Sequence, residues 1–164
     1  MDQDEKFMRL ALEQAELAFQ QNEVPIGAVV VRNGEVVAKG FNRREYGKNA
    51  LYHAEIEAID DACKNLGGWR LWECELYVTL EPCPMCAGAI INSRIRRVVF
   101  GCADIKAGSV CSVINLFELP YNHKPEYRSG VLEEECSAIL SDFFRQLREK
   151  RRSQQNKPIP PVTP

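Results

Sequence analysis

The chain of 164 residues contains no apolar run approaching the ~20 residues that a membrane-spanning helix needs, so no membrane partner is expected. Its start, Met1-Asp2-Gln3-Asp4-Glu5-Lys6, lacks a basic stretch followed by an apolar one. No signal peptide is therefore expected, and the cytoplasm is the expected compartment. A basic excess is also missing: 21 Lys and Arg stand against 23 Asp and Glu, for a formal net charge of −2. That argues against a general nucleic-acid binder, although a local basic patch stays open. Histidine is scarce, with only His53 and His123. There is one Cys-x-x-Cys and no second, and no internal repeat. The seven cysteines are an odd number and cannot all pair within the chain. In a cytosolic protein of this size, a closely spaced pair is more often metal-binding or catalytic than a disulfide. An apolar share of 45% with 27% charged residues fits one soluble domain with a sizeable core.

From Asp4 to Asn22, Phe7, Met8, Leu10, Ala11, Leu12, Ala15, Leu17, Ala18 and Phe19 recur at helical spacing. Asn33-Gly34 separates two strand-like runs, Ile26–Arg32 and Glu35–Asn42, which is a two-residue hairpin signal. Residues 43–51 read as loop, and residues 53–66 as a helix stopped by Gly67-Gly68. A strand over 76–80 is broken by Glu81-Pro82, and a small, apolar helix follows over 83–93. Strands are expected over 97–101 and 126–129, and a long amphipathic helix over 132–152. Residues 102–120 give no clear pattern. One domain over 1–150 is expected, with a basic, then proline-rich, disordered tail over 151–164. The order of elements predicts an α/β fold, one mixed sheet with helices on both faces.

His53-Ala54-Glu55 opens one predicted helix, and Pro82-Cys83-Pro84-Met85-Cys86 opens another. First-turn N–H groups are unpaired and the dipole is positive there, which favours thiolate over thiol. His53, Cys83 and Cys86 can supply three ligands to a zinc ion, leaving its fourth position for water. No convincing fourth ligand is present, which separates this set from a structural site. Zinc would bring the pKa of that water from 15.7 to about 7. Glu55, two residues after His53, can take the water's proton and pass it on. Alone, a Cys-x-x-Cys is often a redox pair or half of a structural zinc site, and a lone His is usually a core residue. Together, His-x-Glu and a downstream Pro-Cys-x-x-Cys form the signature of zinc-dependent nucleobase deaminases.

Beyond these motifs, the sequence resembles the bacterial tRNA-specific adenosine deaminases over about residues 7–148. The similarity runs through Glu23-Val24-Pro25-Ile26-Gly27-Ala28-Val29, Asn42-Arg43, His53-Ala54-Glu55 and Leu76 to Ala89. It continues in Ser93-Arg94-Ile95, Val98-Val99-Phe100-Gly101, Asn122-His123, Gly130-Val131-Leu132, Glu135-Cys136 and Asp142-Phe143-Phe144-Arg145. The resemblance implies a three-layer α/β/α cytidine-deaminase-like fold around a mixed sheet of about five strands. It also implies one Zn2+ per subunit, a homodimer, and conversion of adenosine to inosine at the wobble position of a tRNA anticodon loop. Asn42 and the Ala54 backbone would meet the target base or its sugar. Asp104 would contact a flanking nucleotide. Phe143, Phe144 and Arg145 would close over the anticodon loop by stacking and phosphate contact. Tyr52 and Cys111 depart from the family pattern, which usually has a small residue and a glycine there. Tyr52 either alters the pocket wall or points away.

Two alternatives stay open: a deaminase of a free guanine- or cytosine-type base or nucleoside, and a non-catalytic, zinc-stabilised RNA-binding module. The basic run Arg145, Arg148, Lys150, Arg151 and Arg152 favours a polymer substrate over the first. Glu55 argues against the second, since a structural metal has no use for a carboxylate beside an open position. Arg94, Arg96 and Arg97 read equally as a solvated edge or as phosphate contacts. Trp69, Trp72 and the remaining cysteines read as packing residues, and His123 as structural.

Overall fold

The computed structural model describes residues 2–160. Helix α1 (Gln3–Gln20) starts at Asp2, whose carboxylate accepts the Asp4 N–H at 3.2 Å. Strands β1 (Gly27–Arg32) and β2 (Glu35–Phe41) form the expected hairpin. Asn33 and Gly34 both have positive φ, +51° and +79°, as the tight turn demands. Helix α2 (Ala54–Leu66) follows a loop and ends at Gly67 in the left-handed conformation. Strand β3 (Cys74–Leu80), helix α3 (Pro84–Asn92) and strand β4 (Arg97–Cys102) form a parallel crossover unit. A short strand β5 (Glu126–Arg128) and the long helix α4 (Glu133–Gln155) complete the chain.

The sheet has the order β2-β1-β3-β4-β5. The pairs β1–β2 and β1–β3 are antiparallel, while β3–β4 and β4–β5 are parallel. Side chains alternate across it. Ala28, Val30, Leu76, Val78, Val98 and Phe100 face the alanine-rich side of α2 and the apolar α3. Val29, Val31, Tyr77 and Val99 face α1 and Cys136 and Leu140 of α4. The result is a three-layer α/β/α sandwich, as expected.

Small residues set the spacing of the layers. A Cβ at Gly40 in β2 would collide with the Ala54 carbonyl oxygen and the Ala58 nitrogen. The first turn of α2 therefore lies directly on the sheet, which fixes where His53 and Glu55 project.

Some expectations are corrected. Helix α4 runs to Gln155, so residues 151–155 of the segment read as disordered tail are helical. Residues 156–160 have no regular structure, and the last four positions of the expected tail lie outside the described residues. Trp69 and Trp72 are 50% and 56% exposed and are not core residues. The Arg70 guanidinium lies 4.2 Å over the Trp69 ring. Among the cysteines read as buried, Cys111 is exposed and Cys63 is only partly buried. In the pattern-poor stretch 102–120, Cys102 ends β4 and the rest is irregular, with turns and one 3₁₀ turn at Leu116–Glu118.

The arginines after α3 are committed to the fold. Arg97 makes a two-pronged pair with Asp4, at 2.9 and 2.8 Å, and Tyr77 donates to the same carboxylate at 2.9 Å. Arg128 of β5 bridges Asp4 and Asp2 at 2.6 and 2.7 Å. Arg96 pairs with Glu75. Arg94, at φ +64°, donates to the Ile91 carbonyl at the end of α3. His123 is held by the Ile95 carbonyl at 2.7 Å, in the structural role expected of it.

This network ties the start of α1 to β3, β4 and β5. The Arg97 pair holds the Asp4 carboxyl well below its ordinary value of 3.8, against the opposing effect of burial. Asp4 is thus easier to ionise in the folded chain than in the unfolded one. Its stabilisation is present above the ordinary carboxylate range and is lost as pH falls through that range and below. We expect Asp4→Asn to lower the urea midpoint at about pH 7, with the gap to the parent shrinking below pH ~4. A gap of constant size over this range would show that the charge contributes nothing.

Candidate active site

The carboxyl ends of β3 and β4 and the amino ends of α2 and α3 meet at one edge of the molecule. In open α/β sheets this is where ligands bind. His53 is the N-cap residue of α2, with extended backbone and no side-chain capping bond. Its ring is therefore free to point outward. Cys83 occupies the same place on α3, followed by Pro84 at the first helical position. Cys86 lies three residues on, in the same turn.

These three residues converge. His53 Nδ1 is 3.6 Å from Cys83 Sγ and 3.6 Å from Cys86 Sγ. All three ligand atoms lie within 4.8 Å of one another. Among the described residues, no other His, Cys, Asp or Glu cluster has this geometry. Tetrahedral zinc, with bonds of about 2.3 Å to sulfur and about 2.05 Å to nitrogen, puts those atoms about 3.6 Å apart. The donor set and its spacing thus fit zinc with three protein ligands.

The two thiols act as a pair. Cys83 is pushed down to about 4, chiefly because its thiolate accepts from the Cys86 thiol, with a further hydrogen bond from His53. Cys86 is held up by that same thiolate and by burial. His53 is raised, first by its contact with Cys83. Glu55, in the first turn of α2, is only 4% exposed, and no Lys or Arg among the described residues pairs with it. Burial pushes its carboxyl up to about 7.

A cleft of about 440 Å³ opens over these groups. Of the residues expected from sequence, Asn42, His53, Glu55, Cys83, Asp104 and Phe144 line it. Asn42 donates from Nδ2 to the Val24 carbonyl at 3.1 Å and accepts the Arg44 N–H on Oδ1 at 3.3 Å. This leaves one N–H and one lone pair for a ligand. Asp104 Oδ1 accepts the N–H groups of Lys106 and Ala107, which shapes the turn it stands on.

Other expected residues do not line it. Ala54 and Cys86 are fully buried beneath the cleft. Phe143 turns away and packs edge-on against Phe19, with ring centroids 5.7 Å apart. Arg145 is exposed on α4 and pairs with Asp142 at 3.5 Å, outside the lining. Tyr52 points away from the cleft: its ring lies 4.3 Å beneath the Arg43 guanidinium and against Gly47.

Sequence reasoning gave no role to Arg44, Lys106, Leu140 or Glu81, all of which line the cleft. Neither Arg44 nor Lys106 has a carboxylate partner among the described residues. Glu81 is 2% exposed and accepts hydrogen bonds from the loop 104–112. Burial opposes its ionisation, but those bonds outweigh it and hold the carboxyl below the ordinary range. The available signal was an acidic residue set between a mostly apolar strand and the helix start that carries Cys83 and Cys86. Glu23, also buried, accepts the Glu45 and Tyr46 N–H groups and anchors the loop before His53. No described helix is long and apolar enough to cross a membrane.

Residues 1–148 match the family model described as MafB19-like deaminase. The chain is 53% identical over 154 residues to a tRNA-specific adenosine deaminase of Bacillus subtilis, covering 93% of this chain and 96% of that one. A solved structure from work on A-to-I editing by tRNA:A34 deaminases at the wobble position superposes with a TM-score of 0.80 at 47% identity, covering 82% of this chain and 99% of the other. A guanine deaminase from Nitrosomonas europaea superposes at 0.71 with 26% identity, over 85% and 83% of the two chains. The chain belongs to the MafB19-like deaminases and, within them, to the family of the tRNA-specific adenosine deaminases.

Proposed function

We propose that this chain converts adenosine to inosine at the wobble position of a tRNA anticodon loop, by hydrolytic removal of the 6-amino group as ammonia. The observation that carries the reading is the convergence of His53, Cys83 and Cys86 at 3.6 Å beside the buried Glu55, in a chain so similar to tRNA-specific adenosine deaminases. His53, Cys83 and Cys86 would hold one zinc. When bound, zinc supplies a Lewis acid that makes water a nucleophile near neutral pH.

Glu55 moves the protons. It takes one from the attacking water, gives it to the ring nitrogen next to C6, and carries the second to the departing amino group. The C6–O bond forms, the C6–N bond breaks, and ammonia leaves. Asn42 offers its free N–H and lone pair to the base or sugar. Phe144 and Leu140 offer apolar surface, and Arg44 and Lys106 offer charge to neighbouring phosphates. Phe143 supports Phe144 from behind, with ring centroids 5.4 Å apart. A cleft open on one side suits a loop nucleotide, which is already partly unstacked and costs little to extrude. A homodimer, a cytoplasmic location and residues 1–150 as the single deaminase unit belong to the same reading.

Three outcomes test it. The purified chain should retain about one zinc after dialysis, and a chelator should abolish ammonia release, with zinc restoring it. Activity that survives complete metal removal would end the metal reading. Glu55→Ala should keep zinc and fold yet lose at least the 10²–10⁴-fold (order of magnitude) typical of a proton shuttle. Near-normal turnover would exclude the proposed role.

Substrate class is tested by kcat/KM. An anticodon stem-loop with A at the wobble position should exceed free adenosine, guanine and cytidine by several orders of magnitude, because flanking contacts worth about 1–3 kcal/mol per stacked base are available only to the polymer. A better rate on a free base or nucleoside would overturn the tRNA assignment while leaving the metal site intact.

A further inference from the structure

One buried carboxylate is absent from the chemistry just described. Glu81 stands between the end of β3 and the metal-binding Cys83, and the chain from Asp104 to Ser112 is wrapped around it. Its Oε1 accepts the Asp104 N–H at 3.2 Å and the Ser112 hydroxyl at 2.5 Å. Its Oε2 accepts three successive backbone N–H groups, those of Val110, Cys111 and Ser112, at 3.2, 2.8 and 3.0 Å. Gly108 presses on the carboxylate so closely that a Cβ there would overlap it. The adjoining Pro82 carbonyl accepts the Ser109 N–H at 2.9 Å. No cation pairs with Glu81 among the described residues, so its charge is met entirely by N–H and O–H dipoles.

Both ends of one loop thus hang on a single side chain. The same loop carries Asp104, Lys106 and Ala107, which form one wall of the cleft. Asp104 in turn holds the Lys106 and Ala107 N–H groups with its own carboxylate. Without Glu81 the loop's donors would have no shared acceptor, and a surface loop of this kind would have several conformations to choose from.

We infer that Glu81 is a positioning residue: its carboxylate fixes the 104–112 loop in the one arrangement that presents Asp104 and Lys106 to the nucleotides flanking the target. The inference rests on the proposed RNA substrate, whose flanking nucleotides are what that wall would meet. Glu81 itself moves no proton in the reaction. Its effect is on how well the extended substrate is held.

The test compares the parent with Glu81→Gln, Ser112→Ala, Asp104→Ala and the double variant Glu81→Gln/Asp104→Ala, all zinc-loaded. Glutamine keeps the shape but turns one acceptor oxygen into a donor group facing the loop's own N–H groups. Glu81→Gln should raise KM for the stem-loop about tenfold or more, with a smaller change in kcat. The double variant should be no worse than the more damaging single variant, because both act through one loop. Hydrogen exchange should quicken at residues 104–112 and stay unchanged in the sheet strands.

An unchanged KM, additive effects in the double variant, or unchanged exchange would overturn the inference. If Glu81→Gln loses zinc or does not fold, Ser112→Ala decides. It removes one donor and keeps the carboxylate, so it should raise KM by a smaller factor and quicken exchange in the same segment. If the parent itself makes no inosine in the stem-loop, the RNA reading fails separately, and the exchange experiment still decides whether Glu81 holds the loop.

Discussion

The structure depends on two helix starts meeting at one end of a sheet. α2 and α3 lie on the same face, and each leads with a side chain that could ligate a metal, His53 or Cys83, in its capping position. A capping residue has extended backbone, so its side chain leaves the helix axis and can turn toward a neighbour. Neither His53 nor Cys83 uses its side chain to cap. The three donors can converge only if both helices sit close to the strands and to each other. Gly40 under the first turn of α2, and the run of Ala54, Ala58 and Ala62 along its buried side, remove the bulk that would hold it away. Packing of small residues on one side of β2 is therefore what sets the site's geometry.

Four buried carboxylates show how partner choice divides labour among like groups. Asp4 is met by two arginines and a tyrosine and fastens α1 to the sheet. Glu23 is met by backbone N–H groups and Glu81 by backbone N–H groups and the Ser112 hydroxyl, and each holds a loop in place. These three hold the fold or the walls in place. Glu55 is equally hidden from water, no Lys or Arg among the described residues pairs with it, and burial outweighs the hydrogen bonds from its own N–H and the Cys86 thiol. Environment alone separates one carboxylate from the others, as residue type cannot.

What could be read from the sequence follows the range of the interactions involved. The Asn33-Gly34 turn, the glycine stop after α2 and the helix starts at His53 and Cys83 are set by local backbone chemistry, and all appear where the sequence put them. The convergence of His53, Cys83 and Cys86 was legible because their spacing places each at or in a first turn. Phe143 and Phe144 were not separable, since a helical period puts both on one broad face. Only the position of α1 decides that Phe143 meets Phe19 and Phe144 the cleft. Arg96 and Arg97 read evenly between surface and ligand because their partners, Asp4 and Glu75, are remote in sequence. Trp69 and Trp72 look like core by composition, yet they flank the tight turn into β3 where no third layer covers them. Glu81 went unread for the same reason: its five donors lie 23 to 31 residues further along the chain.

The charge distribution resolves the tension between a net negative chain and an RNA substrate. Many acidic side chains are committed internally: Asp2 and Asp4 to Arg128, Glu57 to Arg43, Glu73 to Arg32, Glu75 to Arg96 and Arg97. Helix α4 separates its own charges, with Glu133, Glu134 and Glu135 in the first turn and Arg148, Lys150, Arg151 and Arg152 toward the other end. That arrangement suits the helix dipole, but the dipole acts only within the last turn and would be satisfied by fewer cations. Between the two ends, Leu140 and Phe144 place the middle of α4 against the cleft, where Arg44 and Lys106 also stand, without acidic partners among the described residues. A backbone leaving the cleft along α4 toward its carboxyl end would therefore pass from apolar surface to cations. One leaving toward the amino end would meet three glutamates. Because screening confines phosphate attraction to about 8 Å at physiological salt, local cations along the helix can orient a strand lying on it even though the whole molecule is acidic.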